Sequence, residues 1–140
     1  IAGLLHHLNV WFEDDINEKS SDFKIHIEPE NLTLTGDERL IEQVLINLIK
    51  NAIAAIESTE MPKIALEAEQ TESKIFIRVA DNGKGMDEEV QENIFTPFFT
   101  TKSDGNGIGL SFSRQIMRLH KGTISVRSTP GIETVFTLKF

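Results

Sequence analysis

The chain has 140 residues, of which 39% are hydrophobic, a net charge of −8 at pH 7 and no cysteine. This hydrophobic content suffices for the core of one domain, and the lack of cysteine excludes disulfides and thiolate chemistry. The negative charge argues against nucleic acid as a partner, and no apolar run approaches the roughly 20 residues that cross a bilayer, so we expect no direct membrane insertion of this segment.

The first part of the chain predicts two helices with strands between them. Apolar residues at near-helical spacing predict a helix over residues 1–20, with an apolar side formed by Leu4, Leu8, Trp11 and Phe12. Alternation over 23–35 predicts two short strands around a turn at 29–31. A long amphipathic helix is expected over 37–58, and Asp37 is its expected N-cap.

The rest of the chain alternates strands with helices. Residues 63–81 predict two strands joined by a polar turn, and 121–140 predict a hairpin that turns at 129–131. A short helix is expected over 87–95 and a longer one over 107–120, whose predicted apolar stripe is Ile108, Phe112, Ile116 and Leu119. Helices that alternate with antiparallel pairs predict a sheet with helices on one face, as a single domain.

Asp81 is the first candidate functional residue, because it ends a strand on the side of its aliphatic residues, Ile75, Ile77 and Val79. A carboxylate in apolar surroundings costs several kcal/mol unless a donor faces it. The donor is either the backbone of the following turn or an amino group of a ligand. In the second case Gly83 and Gly85 let the backbone approach a flat ring, and Met86 offers an apolar surface. Thr134 likewise heads a core-facing row in the last strand.

Two asparagines form the second candidate group. Asn47 and Asn51 lie about 40° apart on a flank of the long helix, next to its apolar face. Their carboxamides either bond to neighbouring backbone or face a cavity, where they offer a carbonyl to a metal or a donor to a ligand.

Two further stretches have the chemistry of phosphate binding. Gly105, Gly107 and Gly109 lead into a helix, where exposed amides suit phosphate, although a flexible loop before a helix is the ordinary alternative. Before them, apolar residues around Pro97 are followed by a polar stretch, which is typical of a hinge and a lid. Lys102, near the centre of that lid, is a candidate cation for an anionic ligand, although a loop lysine is usually only solvated.

These stretches together resemble the nucleotide-binding catalytic domain of bacterial sensor histidine kinases, within the superfamily that includes gyrase, Hsp90 and MutL. The resemblance spans nearly the whole chain and lies in the boxes LIEQVLINLIKNAIAAI, DNGKGM, IFTPFFTTK, GNGIGLS and GIETVFTLKF. It implies an α/β (α+β) two-layer sandwich of the Bergerat type, in which a mixed, mostly antiparallel sheet packs against about three helices. Residues 1–140 would form a single ATP-binding catalytic domain, with 1–20 a candidate for the end of a connector from an upstream domain.

The resemblance also implies a set of ATP-binding positions. Asp81 would accept the adenine amino group, with Thr134 nearby through water, and Asn51 would ligate Mg²⁺ beside the phosphates. Asn47 and Lys102 would be the catalytic residues: Asn47 would orient the phosphoryl acceptor, and Lys102 would reach the phosphates from the lid. The full implied set is Asn47, Asn51, Asp81, Gly83, Gly85, Met86, Ile94, Phe95, Thr101, Lys102, Gly105, Gly107, Ile108, Gly109, Leu110 and Thr134.

The implied reaction is transfer of the γ-phosphoryl group of ATP to a histidine on an upstream helical dimerisation domain of the same protein, with ATP and Mg²⁺ as cofactors. A response-regulator receiver domain would be the further partner, and the cytoplasm the expected location. Such chemistry depends mainly on position and charge neutralisation. His6 and His7 lack the sequence context of an acceptor histidine, so we expect the acceptor outside this chain.

Two alternatives remain open. One is an ATP-hydrolysing clamp of the gyrase or MutL type, which Asn47 disfavours because an amide cannot serve as a carboxylate base. The other is a nucleotide-binding module that only regulates partners, which two departures from the family pattern favour. Ala54 stands where these kinases often carry a lysine or arginine, and Glu133 replaces a glycine of the last box.

Overall fold

The architecture is a five-stranded mixed sheet whose buried face packs against helices. A computed structural model of the chain describes residues 1–19, 22–99 and 109–140. The elements in chain order are α1 (Ala2–Trp11), α2 (Glu13–Glu18), β1 (Asp22–Glu28), α3 (Glu38–Ala55), β2 (Lys63–Thr71), β3 (Lys74–Asp81), α4 (Glu88–Asn93), α5 (Gly109–Leu119), β4 (Thr123–Thr129) and β5 (Glu133–Lys139). The strands lie in the order β1-β2-β3-β5-β4; β1 pairs with β2 in parallel, and the other neighbouring pairs are antiparallel.

Alternation along the strands determines which side of the sheet is buried. Leu66 in β2, Ile77 in β3 and Leu138 in β5 are fully buried, whereas their neighbours in sequence are partly or fully exposed. Helix α3 covers this face with the buried residues Ile41, Val44, Leu45, Ile46, Leu48, Ile49 and Ala52. Burial of large aliphatic side chains, each worth roughly 1.5–3 kcal/mol, therefore holds helix and sheet together.

Helix α3 begins at its predicted N-cap and ends against the loop after β3. The Asp37 carboxylate accepts hydrogen bonds from the N–H of Arg39 (3.0 Å) and of Leu40 (3.2 Å), so the expected cap is confirmed. At the other end, the carbonyl of Ala55 accepts a hydrogen bond from the N–H of Lys84 (3.0 Å). This contact joins α3 to the end of the sheet where β3 stops.

The predicted α/β sandwich with a mixed, mostly antiparallel sheet is confirmed. Three of the described helices have 10, 18 and 11 residues, in agreement with the expected number. The two strands of 63–81, the hairpin of 121–140 and the short helix near 87–95 are confirmed as well. Among the described helices, none has the length and apolar character that a membrane span requires.

Two predictions in the first part of the chain are wrong. Residues 23–35 contain one strand, β1, rather than two. Leu32 reaches the core from an irregular segment, in which its N–H bonds back to the carbonyl of Pro29 (2.9 Å). The helix expected over 1–20 divides at Phe12 into α1 and α2, because the buried Phe12 has a ψ of 6°, outside the helical range.

The apolar stripe expected on α5 is wrong at Phe112 and Leu119, whereas Ile116 is buried as predicted. Phe112 and Leu119 are 45% and 75% exposed, and Ile108 lies outside the described residues. The buried positions of α5 are Leu110, Ser113, Ile116 and Met117. The hydrophobic pattern could not show which side of α5 is buried, because Ser113 occupies a buried position through hydrogen bonds rather than through apolar contact.

Candidate functional site

Three polar side chains lie in one row across the sheet, at the end of β3. Asp81 is in register with Thr134 of β5, and Thr134 is in register with Ser128 of β4. Asp81 is 6% exposed and Thr134 is 4% exposed. The prediction that Asp81 and Thr134 occupy core-facing positions is therefore confirmed.

The Asp81 carboxylate has one hydrogen bond to the described protein and capacity for another. Its Oδ1 accepts from the N–H of Gly83 (2.9 Å), so one oxygen caps the following turn. No donor within the described part of the chain bonds the second oxygen. Because no fully buried side-chain nitrogen or oxygen among these residues lacks a partner, the second oxygen keeps contact with solvent. A charged acceptor in this position suits an amino group of a ligand.

The burial of Asp81 changes its acidity. Its pKa is raised from 3.8 to about 6. Loss of hydration on burial is the largest cause; the hydrogen bond from Gly83 lowers the pKa, and the negative charge of Glu133 raises it. The carboxyl group is therefore mainly ionised at neutral pH, although its surroundings oppose the charge. Buried charges of this kind are concentrated at functional sites.

The hydroxyl of Ser128 joins the polar row to the loop after β3. Ser128 Oγ accepts from the N–H of Met86 (2.8 Å) and lies 2.7 Å from both the carbonyl of Glu133 and Thr134 Oγ1. Ser128 has one hydroxyl proton, and the Glu133 carbonyl can only accept, so Ser128 donates to Glu133 and Thr134 donates to Ser128. The lone pairs of Thr134 Oγ1 are then available as acceptors beside Asp81.

The two glycines after Asp81 are required by contacts within the protein. A side chain on Gly83 would overlap the carbonyl of Ala55 at the end of α3. Gly85 has a φ of +68°, and a side chain there would overlap the backbone of Thr129. The loop therefore packs closely against the end of α3 and the β4–β5 turn. This packing accounts for both glycines without a flat ligand ring. Their contact with a ligand stays a prediction.

Asn47 joins α3 to the start of α5. Its Nδ2 donates to the carbonyl of Gly109 and to Ser113 Oγ, both at 3.2 Å, and Ser113 Oγ donates to the same carbonyl (2.9 Å). The nitrogen of Asn47 thus bonds to the backbone of Gly109 and the side chain of Ser113, and its oxygen is the atom that can accept a hydrogen bond from a ligand. Asn51 is half-buried, one turn further along α3.

A metal ion would find few protein ligands here. Within the described ranges there is no group of three or more His, Cys, Asp or Glu side chains that could hold a metal. Mg²⁺ usually takes only one or two protein ligands and completes its octahedron with phosphate oxygens and water. A single carboxamide oxygen, such as that of Asn51, would therefore hold Mg²⁺ only as part of a metal–nucleotide complex, and this role of Asn51 stays a prediction.

The segment before residue 100 is anchored to the core by an aromatic contact. The ring of Phe95 packs edge-on against Phe136 with centroids 6.3 Å apart, and the guanidinium of Arg114 lies 5.8 Å from the Phe95 centroid. Ile94 is half-buried beside this contact, whereas Phe98 is 77% exposed. The predicted site residues Thr101, Lys102, Gly105, Gly107 and Ile108 lie outside the described residues, while Gly109 begins α5 and Leu110 is buried.

Three polar residues of this region were not identified from the sequence: Ser128, Gln91 and Arg114. Ser128 had a usable signal, because it ends the row of Ile124 and Val126 as a polar residue, just as Asp81 ends its own row. The sequence around Gln91 and Arg114 contains no such signal, because each contacts a residue in a segment distant in the sequence.

The chain belongs to a class of ATPase domains. Residues 36–140 match the family described as histidine kinase-, DNA gyrase B- and HSP90-like ATPase, and the chain belongs to this family. The solved catalytic domain of the histidine kinase ThkA has the same fold, with a TM-score of 0.89 and 35% identity over 100% of this chain and 91% of that one. ThkA in complex with the response regulator protein TrrA gives a TM-score of 0.85 and 34% identity, over 100% of this chain and 40% of that one.

Two full-length proteins with similar sequences are much longer than this chain. The C4-dicarboxylate transport sensor protein DctB of Rhizobium meliloti (strain 1021) is 42% identical over 107 residues, which is 76% of this chain and 17% of DctB. The signal transduction histidine-protein kinase AtoS of Escherichia coli (strain K12) is 41% identical over 118 residues, which is 84% of this chain and 19% of AtoS. The chain thus spans less than a fifth of the length of these relatives.

Proposed function

We propose that the chain binds ATP and is the catalytic domain of a sensor histidine kinase, which transfers the γ-phosphoryl group to a histidine on a helical dimerisation domain of the same protein. One observation carries the proposal: Asp81 ends β3 as a buried carboxyl group whose Oδ1 is held by the N–H of Gly83, while no donor in the described part of the chain bonds its other oxygen. Membership of the histidine kinase-like ATPase family supports it.

The open oxygen of Asp81 is the proposed acceptor for the amino group of adenine. Its partner oxygen is held by Gly83, so the carboxylate has a fixed orientation before a ligand arrives. Thr134 Oγ1 would contact the base through water, and Met86 would cover its face. A purine with a carbonyl oxygen at the same place would meet a negative charge and bind more weakly.

The phosphate end of the site is proposed at the flank of α3 that faces α5. Asn51 would contribute one oxygen ligand to Mg²⁺, and the amides at the start of α5, at Gly109 and Leu110, would face the phosphates. When bound, Mg²⁺ neutralises the charge of the phosphates. Positive groups are needed here because the chain carries a net charge of −8, and Lys102 would supply part of that positive charge.

Asn47 favours phosphoryl transfer over hydrolysis. Its amide nitrogen is bonded to the start of α5, so its neutral carbonyl oxygen is the atom to which we give the role in the reaction. That oxygen can orient an incoming nucleophile by accepting a hydrogen bond, but it cannot remove a proton from water as a carboxylate does. We therefore assign Asn47 a role in orienting the acceptor histidine.

The proposed partners follow from the reaction. The dimerisation domain supplies the histidine, and the receiver domain of a response regulator takes the phosphoryl group from it; the related kinase ThkA was solved with such a regulator. The reaction is placed in the cytoplasm, where ATP is available.

A phosphorylation assay tests the proposal. A longer version of the protein that includes the dimerisation domain would be mixed with [γ-³²P]ATP and Mg²⁺, with Asp81→Asn as the matched variant. We expect a label on the protein that acid removes and base does not, and far less of it on the variant. Absence of label despite ATP binding would contradict a kinase and favour a regulatory module, whereas steady release of phosphate by the chain alone would favour an ATPase clamp.

A further inference from the structure

Gln91 makes a set of hydrogen bonds that its place in a short surface helix does not require. It is the fourth residue of α4 and is half-buried. Its Nε2 donates to the carbonyl of Met86 (3.0 Å) and to the carbonyl of Ser128 (2.9 Å), and its Oε1 accepts from the N–H of Ser128 (3.1 Å). The carboxamide is therefore bonded through both of its polar atoms, and every partner is backbone.

Two of these bonds join α4 to the edge of the sheet. Strand β4 is the last strand in the order β1-β2-β3-β5-β4, and an edge strand presents unpaired N–H and C=O groups. The side chain of Gln91 pairs with the N–H and the C=O of Ser128, as a neighbouring strand would do. This pairing fixes α4 relative to the strand that carries Ser128.

The third Gln91 bond and a bond to Ser128 hold the backbone of Met86 at both ends. Its C=O accepts from Gln91, and its N–H donates to Ser128 Oγ (2.8 Å). Ser128 Oγ in turn contacts Thr134 Oγ1 (2.7 Å), and Thr134 is in register with Asp81. Side-chain hydrogen bonds thereby link Met86 to Thr134, the residue that pairs across the sheet with the buried Asp81.

We propose that Gln91 and Ser128 are positioning residues for the nucleotide base: they clamp the backbone of Met86 and so fix the loop that follows Asp81. The inference rests on the proposed function, because it takes the base to lie against Met86. Loss of either side chain releases one end of the Met86 backbone, so the loop samples more conformations. A ligand must then restrict the loop on binding, which weakens its affinity.

Binding measurements with matched variants test this clamp. Gln91→Leu, Ser128→Ala and the double variant would be titrated with ATP and Mg²⁺ by calorimetry at a temperature where each is folded. Gln115→Leu, at an exposed position of α5, is the control. We expect each single variant to raise the Kd for ATP about tenfold, which corresponds to about 1.4 kcal/mol. The Kd of the double variant should be only slightly higher than that of the single variant that binds ATP more weakly, because both substitutions act on one peptide segment.

A signal from Met86 separates positioning from stability. The chain has three methionines, Met61, Met86 and Met117, so the ε-methyl resonances are few enough to assign by substitution. In unliganded Gln91→Leu and Ser128→Ala we expect the Met86 methyl signal to shift or broaden, while the signal of the buried Met117 stays in place.

The outcomes distinguish this inference from the proposed function. If the wild-type chain binds ATP and both variants bind it equally well while folded, the clamp is wrong and the proposed function stands. Additive losses in the double variant would also overturn it, since they would indicate independent structural effects. If the wild-type chain does not bind ATP, the proposed function fails, and the base-positioning role of the clamp fails with it.

Discussion

Replacing Asp81 by asparagine should make the unliganded chain more stable and its nucleotide complex weaker. Asparagine keeps an oxygen that accepts from the N–H of Gly83, as Oδ1 of Asp81 does at 2.9 Å. It removes the buried negative charge and places an amide donor where the open oxygen was. The two effects therefore act in opposite directions on folding and on binding.

The size of the stability effect follows from the pKa. The pKa of Asp81 rises from 3.8 to about 6 on burial, and each pKa unit is worth about 1.4 kcal/mol. Because the folded pKa lies above the unfolded one, the folded state holds the proton more tightly, and the wild-type chain loses stability as the pH rises from about 4 to about 6. The penalty above that range is about 3 kcal/mol. We expect Asp81→Asn to raise the unfolding free energy by up to that amount near neutral pH, and by little at about pH 4.

Urea unfolding followed by circular dichroism measures this difference at the two pH values. Asp14→Asn, at an exposed position of α2, is the control, for which we expect a change under about 1 kcal/mol at either pH. For ATP, Asp81→Asn should weaken binding by about 1–3 kcal/mol, the cost of mispairing a buried polar site. The reasoning would be refuted if Asp81→Asn were less stable than wild type at neutral pH. It would also be refuted if Asp81→Asn bound ATP as tightly as wild type does.

Three other changes have expected outcomes. Glu133→Gln removes a negative charge that raises the pKa of Asp81, so the pH below which ATP affinity falls should move lower, as measured by calorimetry across pH 5–8. His120→Ala removes a ring whose Nε2 accepts from the N-cap residue of α3 (3.0 Å) and whose Nδ1 donates to a carbonyl (2.8 Å); urea unfolding should show a loss of about 2 kcal/mol, against almost none for the exposed His6→Ala. Asn51→Ala should reduce the Mg²⁺-dependent part of ATP affinity about tenfold and leave metal-free binding nearly unchanged, in titrations with and without a chelator; equal losses in both would contradict its role as a metal ligand.

The end of β3 could be predicted because its signals are local. Period-two alternation assigned Asp81 to the buried side, and the same pattern in the last strand assigned Thr134. The N-cap at Asp37 was equally readable, since a cap depends on residues within one turn. Each of these features needs only a few consecutive residues to specify it.

Features that depend on distant segments could not be predicted in the same way. Leu32 has the spacing of a strand residue, but its segment pairs with no strand among the described residues and is irregular. Ser113 conceals the buried side of α5, because its partner Asn47 is 66 residues away. Gln91 and Ser128 are 37 residues apart, and nothing in either stretch alone indicates their contact. Gly83 and Gly85 stand out in the sequence, but the packing that requires them involves the end of α3 and the β4–β5 turn, which are distant in the chain.

Comparison of ATP with GTP tests the central claim most directly, since it asks whether Asp81 recognises an amino group. The wild-type chain would be titrated with each nucleotide in Mg²⁺ in a calorimeter. We predict saturable binding of ATP, and binding of GTP at least about tenfold weaker, because guanine presents a carbonyl oxygen to the carboxylate where adenine presents a donor. No saturable heat with ATP, or equal affinity for the two nucleotides, would contradict the account.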